Sequence, residues 1–337
     1  MILAESLIHT LNPFALELSD GFGIRWYGLA YLSGFLIAWL ILRWMAASRR
    51  ILLTPAQVTD FLTWLIIGVL VGGRVGYVLL YSPALLWSFD GSFPFWGALK
   101  IHEGGMASHG GMAGVIVASI LYAHRLRITP WHLIDITAFI APPGLGLGRV
   151  ANFINGELWG RPLPEKYWND PPWWSLKYPM EMVEPNFQYT DQVVLKSTIL
   201  EGISPEVDRA QAMANAAYAG RADVIEAISP YLTPYYPSQL FQAASDGIIL
   251  FLGMILIWLL PRKPGVLTGS FLIIYGILRF VTEQYRGQFT TGAGYSSIVV
   301  AGGLSVVMVI LGISIVTYRS SKNISPIGGL LKPMNSA

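Results

Sequence analysis

The chain contains no cysteine, which excludes disulfides, thiolate metal sites and a cysteine nucleophile carried by the protein itself. Charge is scarce too: Asp, Glu, Lys and Arg make up 12% of the 337 residues, about half the ~25% usual in soluble domains. With a net charge of +2 and no basic run, nothing points to nucleic acid. No HExxH or His-rich spacing offers a metal site, and no GxSxG elbow offers an acyl-transfer serine. No cofactor is expected. Internal repeats and low-complexity tracts are missing. The first apolar run is preceded by neither a basic stretch nor an A-x-A site, so a cleaved signal peptide is not expected.

What is present is apolar. The chain is 53% hydrophobic with 12 Trp and a positive mean hydropathy, which predicts an all-α integral membrane protein. A spanning helix needs ~20 apolar residues, and about seven transmembrane helices are expected, near 24–45, 59–81, 105–124, 131–153, 237–260, 266–284 and 296–318. Glycine and proline interrupt the third and fourth, a pattern tolerated at membrane depth only where protein or a watery cavity covers the backbone. Ten Lys and Arg, from Arg43 to Lys332, fall on one set of span ends, whereas on the opposite side residues 1–23 carry none, 82–104 carry Lys100, and Arg286 follows the sixth span. Positive charge marks the cytoplasmic side, so the N-terminus is expected outside and the C-terminus in the cytoplasm. Four regions follow: a four-span half, 1–153, with an interfacial N-terminal segment; an external insert, 154–236; a three-span part, 237–318; and a cytoplasmic tail, 319–337. The insert is acidic, with 11 Asp and Glu over residues 155–236 against 6 Lys and Arg, and its alanine-rich 204–228 predicts a short helix or two.

Six ionisable residues nevertheless sit in or at the ends of these apolar segments: Arg74, His109, Arg149, Glu157, Arg279 and Glu283. A charge at the bilayer centre costs about 2.5–3.5 kcal/mol on insertion scales, which makes each a candidate for function. The expected topology puts all six near one membrane face. Arg279, Glu283 and Arg286 follow an i, i+4, i+7 spacing and so share a helical face. Three arginines at one depth suit an anion, best a phosphate. His109, between Gly104-Gly105 and Gly110-Gly111, is the one well-placed general base, with the amides Asn152 and Asn155 available beside the guanidinium groups. Plainer readings stand beside these. Arg25, Arg286 and Lys100 can snorkel to the interface, and Arg74 or Arg279 can form a structural ion pair with Glu283 or Glu157. Gly68/Gly72 and Gly110/Gly114 have the spacing of helix-packing devices. Asp135 and Asp246 receive no role. Rival readings are a seven-helix transporter, whose site would lie nearer the midplane, and a phospholipid phosphatase, for which neither nucleophile nor metal site is visible.

Six blocks carry a resemblance. They are Arg25-Trp26-Tyr27-Gly28, Gly72-Gly73-Arg74-Val75-Gly76-Tyr77, Gly104 through Gly111, Gly148-Arg149 through Gly160, Pro237-Ser238-Gln239-Leu240, and Arg279-Phe280-x-x-Glu283-x-x-Arg286. In these, in order and spread over nearly the whole chain, the sequence resembles the bacterial phosphatidylglycerol–prolipoprotein diacylglyceryl transferases. The family block His-Pro-Ser-Gln-Leu-Tyr-Glu is altered here, with Tyr236, Phe241 and Gln242 replacing its histidine, phenol and carboxylate. The resemblance implies transfer of a diacylglyceryl group from phosphatidylglycerol to a prolipoprotein lipobox cysteine in the bacterial inner membrane, with the active site toward the external leaflet. Membrane lipids are the other expected partners. It further implies His109, Arg149 and Arg279 as catalytic residues, with His109 as base or, alternatively, an arginine-centred mechanism. Tyr27, Arg74, Asn152, Asn155, Gly156, Glu157, Gly160, Glu283 and Arg286 would bind substrate or order the arginines.

Overall fold

The computed structural model describes residues 6–19, 22–184, 187, 209–287, 297–331 and 333. Part of the expected insert, 185–186 and 188–208, lies outside the described residues, as does Lys332. The architecture is helical. The long helices are α1 (Trp26–Ala47), α2 (Pro55–Leu80), α3 (Ser108–Leu126) and α4 (Pro130–Ile154). After two short helices, α5 (Arg209–Tyr218) and α6 (Ala222–Ile228), come α7 (Ser238–Trp258), α8 (Val266–Glu283) and α9 (Ser297–Ser321). Among the described residues, six of these are long and apolar enough to cross a membrane: α1, α2, α4, α7, α8 and α9. The protein is a multi-pass membrane protein. The remaining long helix, α3, has 19 residues, and its start is glycine-rich.

The chain divides into two compact units, each described by itself. The first comprises Met1–Ser33, Leu145–Ile248 and Ile277–Val306; the second comprises Gly34–Gly144, Ile249–Gly276 and Val307–Ala337.

In the second unit, Thr54 starts α2 with a reciprocal cap: its side chain accepts from Gln57 N while Gln57 Oε1 accepts from Thr54 N at 2.9 Å. Pro55 follows at the first helical position, where its missing N–H leaves no bond unmade. α2 and α3 then pack along glycines. A methyl group on Gly68 would stand 2.6 Å from the Gly114 carbonyl oxygen, and one on Gly76 would stand 2.7 Å from Gly110 Cα. The packing role read from the glycine spacing is therefore realised, and the first turn of α3 is held against α2. Asp135 on α4 caps α8: its carboxylate accepts from Gly265 N at 2.7 Å and from Thr268 N at 2.8 Å, and also from the Thr268 hydroxyl. This is a helix-start cap supplied by another helix.

In the first unit, β1 (Leu7–Ile8) pairs in parallel with β4 (Leu176–Lys177), which ties the N-terminal segment to the insert. β2 (Phe14–Ser19) and β3 (Phe22–Arg25) form an antiparallel hairpin with Leu16, Leu18 and Ile24 exposed. The helices expected over 204–228 are α5 and α6; they close a small core with Met182, Met213, Ala217, Val224 and Ile228.

Candidate functional site

The residues of the expected site fall into both units. The first unit holds Tyr27, Arg149, Asn152, Asn155, Gly156, Glu157, Gly160, Arg279, Glu283 and Arg286. Arg74 and His109 belong to the second.

In the first unit, α4 carries Arg149 and Asn152 toward its C-terminal end, and α8 carries Arg279 and Glu283. Between Ala243 and Ile249, α7 widens into π-helical turns, a distortion frequent at functional sites. There α7 approaches α4 closely: a methyl group on Gly146 would stand 2.8 Å from Gly247 Cα. Asp246, on the widened turn, lies with Oδ2 3.6 Å from Arg149 Nε. Gln242, four residues earlier, accepts from Arg279 Nη1 at 3.3 Å. Glu283 Oε2 lies 2.9 Å from Arg279 Nη2 and 3.8 Å from Arg286 Nη1.

The two carboxylates and their cations differ in exposure. The Asp246 and Glu283 side chains are 1% exposed, against 21% for Arg149, 12% for Arg279 and 22% for Arg286. The anionic groups are thus buried behind the cations. The pairing is also incomplete: Asp246 Oδ2 and Glu283 Oε2 have neighbouring guanidinium groups but no hydrogen bond of good geometry, and Glu283 Oε1 is likewise buried without a hydrogen bond. The cluster sets three guanidinium groups beside two carboxylates. A partly dehydrated group of this kind is suited to an anion, because planar guanidinium forks bind phosphate oxygens in pairs.

The end of α4 shapes the neighbouring loop. Gly156 has φ +62°, a left-handed conformation that suits glycine after a helix end. Its N–H bonds the Phe153 carbonyl, and Glu157 N bonds the Asn152 carbonyl. Glu157 itself is exposed, with Oε1 accepting from Asn155 Nδ2 at 3.4 Å. Asn155 Oδ1 is buried without a partner. The Asn152 amide is buried and donates to the Tyr27 hydroxyl at 3.4 Å. Gly160 pairs with Arg286 in a short antiparallel bridge and is boxed against the backbone of Tyr236 and Tyr285.

Under this turn lies a residue that sequence reasoning missed. His9 is 2% exposed, and its Nε2 lies 2.6 Å from the Phe153 carbonyl. A carbonyl can only accept, so Nε2 carries the proton and Nδ1 is left unpartnered. Burial pushes the His9 pKa below its ordinary 6.5, against the raising effect of the Phe153 bond.

In the second unit, Arg74 is buried and turned inward. Its Nε donates to the Ala98 carbonyl at 2.8 Å, Nη2 to Gly97 at 2.6 Å, and Nη1 to Gly104 at 2.6 Å and Gly105 at 3.1 Å. The guanidinium therefore fastens the loop that leads into α3. Gly104 and Gly105 have φ of +87° and +80°, conformations open to glycine, and they turn their carbonyls to Arg74. His109 follows on the first turn of α3, exposed, with no hydrogen bond or ion pair among the described residues. Among the described residues, no group of three His, Asp or Glu is placed to hold a metal.

Asp246 and Gln242 were the other residues missed. A signal for Asp246 was present: it is the only ionisable residue in 237–260, and an intramembrane carboxylate carries the same insertion cost as the arginines.

The family model described as prolipoprotein diacylglyceryl transferase matches residues 13–318. A phosphatidylglycerol–prolipoprotein diacylglyceryl transferase of Bdellovibrio bacteriovorus is 41% identical over 301 residues, which cover 83% of this chain and 84% of that protein. Proteins of the same description are 36% identical in Rhodospirillum centenum, covering 90% of each chain, and 35% identical in Ralstonia pickettii, covering 94% of this chain and 97% of the relative. With its match over nearly the full length and the blocks that form the arginine cluster inside that match, the chain belongs to the prolipoprotein diacylglyceryl transferase family.

Proposed function

We propose that the protein transfers the sn-1,2-diacylglyceryl group of phosphatidylglycerol to the lipobox cysteine of a prolipoprotein, in the bacterial inner membrane and on the side of the external leaflet. The observation that carries this reading is the cluster of Arg149, Arg279 and Arg286 in front of two buried carboxylates. Such a cluster binds a lipid phosphate and stabilises it as charge develops. In the reaction the cysteine sulfur forms a bond to the glyceryl carbon, the carbon–oxygen bond to phosphate breaks, and its electron pair leaves with the phosphate. The products are a thioether and glycerol phosphate. The phosphate goes from one negative charge to two, so guanidinium groups that face it favour the transition state over the ground state.

A free thiol has a pKa of about 8.5 and is mostly protonated at neutral pH. His109, exposed and with no hydrogen bond or ion pair among the described residues, is the base that removes its proton. Arg149 and Arg279 hold the departing phosphate. Tyr27, Asn152, Asn155, Gly156, Glu157 and Gly160 position the headgroup. Glu283 orders Arg279 and Arg286, and Arg286 adds its charge to the phosphate site. Arg74 fastens the loop that leads to His109. A chain without cysteine fits an enzyme whose nucleophile arrives on its substrate.

The test is a transfer assay with purified protein, phosphatidylglycerol vesicles and a lipobox peptide. The expected result is a peptide gaining one diacylglyceryl mass in thioether linkage; hydrolysis of the lipid without peptide modification would overturn the reading. The orientation is tested in the same cysteine-free background. A cysteine at Asp170, in the insert, should react with an impermeant reagent on intact cells, and one at Arg49 only after the cells are opened. The reverse pattern would refute an external site.

A further inference from the structure

Asp246 belongs to none of the roles above, yet its surroundings are unusual for a buried carboxylate. It is 1% exposed on an apolar helix. Oδ1 accepts from its neighbour Ser245 at 3.0 Å, whereas Oδ2 has no hydrogen-bond donor and faces Arg149 Nε at 3.6 Å. A carboxylate so placed is costly unless a cation answers it. Arg149 is that cation, and it is engaged from one edge. Its ion-pair contact with Asp246 is through Nε, at 3.6 Å, while the two Nη groups make no hydrogen bond among the described residues. That is the arrangement needed to aim a planar fork: the Nε edge is held from behind and the Nη edge is left for an anion.

The widened turn of α7 makes this possible. Gln242 and Asp246 lie four residues apart, and the first addresses Arg279 while the second addresses Arg149. One turn therefore reaches two arginines on two different helices, α8 and α4. The close approach at Gly146 and Gly247 brings α7 near enough to α4 for the short Asp246 side chain to reach. We propose that Asp246 is a positioning residue for the transfer reaction, which acts by fixing the direction of the Arg149 guanidinium. This rests on the reading of Arg149 as a phosphate-holding residue.

The experiment is a double-mutant cycle in the transfer assay, with Asp246→Asn, Arg149→Gln and the pair. Inhibition of transfer by added glycerol phosphate is measured on each protein, and a thermal midpoint in detergent checks folding. If Asp246 works through Arg149, Asp246→Asn lowers kcat/KM by about tenfold or more and weakens glycerol phosphate inhibition. In the Arg149→Gln background it then adds less than about threefold, since contacting residues are not additive. Multiplicative losses in the double variant, or an Asp246→Asn protein with wild-type kcat/KM and inhibition, would overturn the proposal. Should Asp246→Asn fail to fold, the same cycle with Asp246→Glu, which keeps the charge and moves it by one methylene, decides by the same comparison. Failure of the underlying reading would look different: Arg149→Gln itself would transfer at the wild-type rate.

Discussion

Asp135 and Asp246 are both buried carboxylates on apolar helices, 2% and 1% exposed, and their surroundings are opposite. Asp135, in the second unit, accepts three hydrogen bonds from Gly265 and Thr268 and caps a helix. Asp246, in the first, keeps one oxygen without a donor and faces an arginine at 3.6 Å. The same contrast separates two arginines. Arg74 has four hydrogen bonds to backbone carbonyls, whereas the Nη groups of Arg149 have none among the described residues. A buried charge whose bonds are complete has finished its work in the fold. One whose bonds are incomplete is held at a cost that a ligand can relieve, which is where local rules are expected to be broken for function. The histidines differ in exposure: His9 is buried with one nitrogen against a carbonyl, and His109 is exposed with no hydrogen bond or ion pair among the described residues.

The strongest way to break this comparison is at His109. If its open imidazole removes the thiol proton, His109→Gln lowers turnover by ~10²–10⁴-fold, the range of general-base catalysis. Raising the pH toward the thiol pKa then recovers part of the loss, because solvent supplies the thiolate. The measurement is transfer rate against pH for both proteins at saturating phosphatidylglycerol. Parallel curves less than about tenfold apart would exclude the base role and favour an arginine-centred mechanism.

The arginines give the next largest effect, and they sharpen the contrast directly. Lysine keeps the charge and loses the planar fork. Arg149→Lys is therefore expected to lose ~10²-fold or more in kcat/KM, the scale of removing one preorganised donor from a developing anion, with little change in thermal midpoint. Arg74→Lys should do the reverse in kind. It leaves buried carbonyls without donors, at about 1–3 kcal/mol each, so the thermal midpoint falls first and activity per folded molecule falls less. A stable Arg74→Lys protein with a crippled rate would mean that the satisfied arginine is chemical after all.

The sequence made much of this legible, for identifiable reasons. Apolar runs long enough to span are a property of composition, so the helices were readable, and so was the packing use of Gly68, Gly72, Gly110 and Gly114 from their spacing. The arginines were readable because an intramembrane charge is costly wherever it points. What was not readable was direction. Nothing in Gly73-Arg74-Val75 tells that the guanidinium turns back to carbonyls 23 to 31 residues away. The partner that makes Asp135 a cap lies 130 residues on. The widened turn that delivers Asp246 has no local signature, and His9 becomes part of the site's support only when the N-terminal strand pairs with the insert. Periodicity reports which face is apolar. It is silent on which long-range bonds complete a polar group.

The smallest effect belongs to His9, and it concerns stability. Its imidazole is neutral in the fold, with Nε2 donating to Phe153 and the ring against Phe153, Tyr178 and Tyr218. Burial lowers its pKa from the ordinary 6.5, so the unfolded chain takes up a proton at a higher pH than the folded one does. Stability from this residue is therefore full above about pH 6.5 and declines as the pH falls toward the depressed value, by at most ~1.4 kcal/mol per pH unit. Gln is uncharged and can still donate to the Phe153 carbonyl. His9→Gln should thus melt slightly lower than wild type near pH 7.5, through lost ring packing, and the gap should narrow or invert near pH 5. The check is the difference between the two thermal midpoints across that range, which cancels the carboxylates common to both proteins. A gap that stays constant with pH would mean that His9 is already free to protonate in the fold, and that the support under the Asn155–Glu157 turn is no more closed than the site above it.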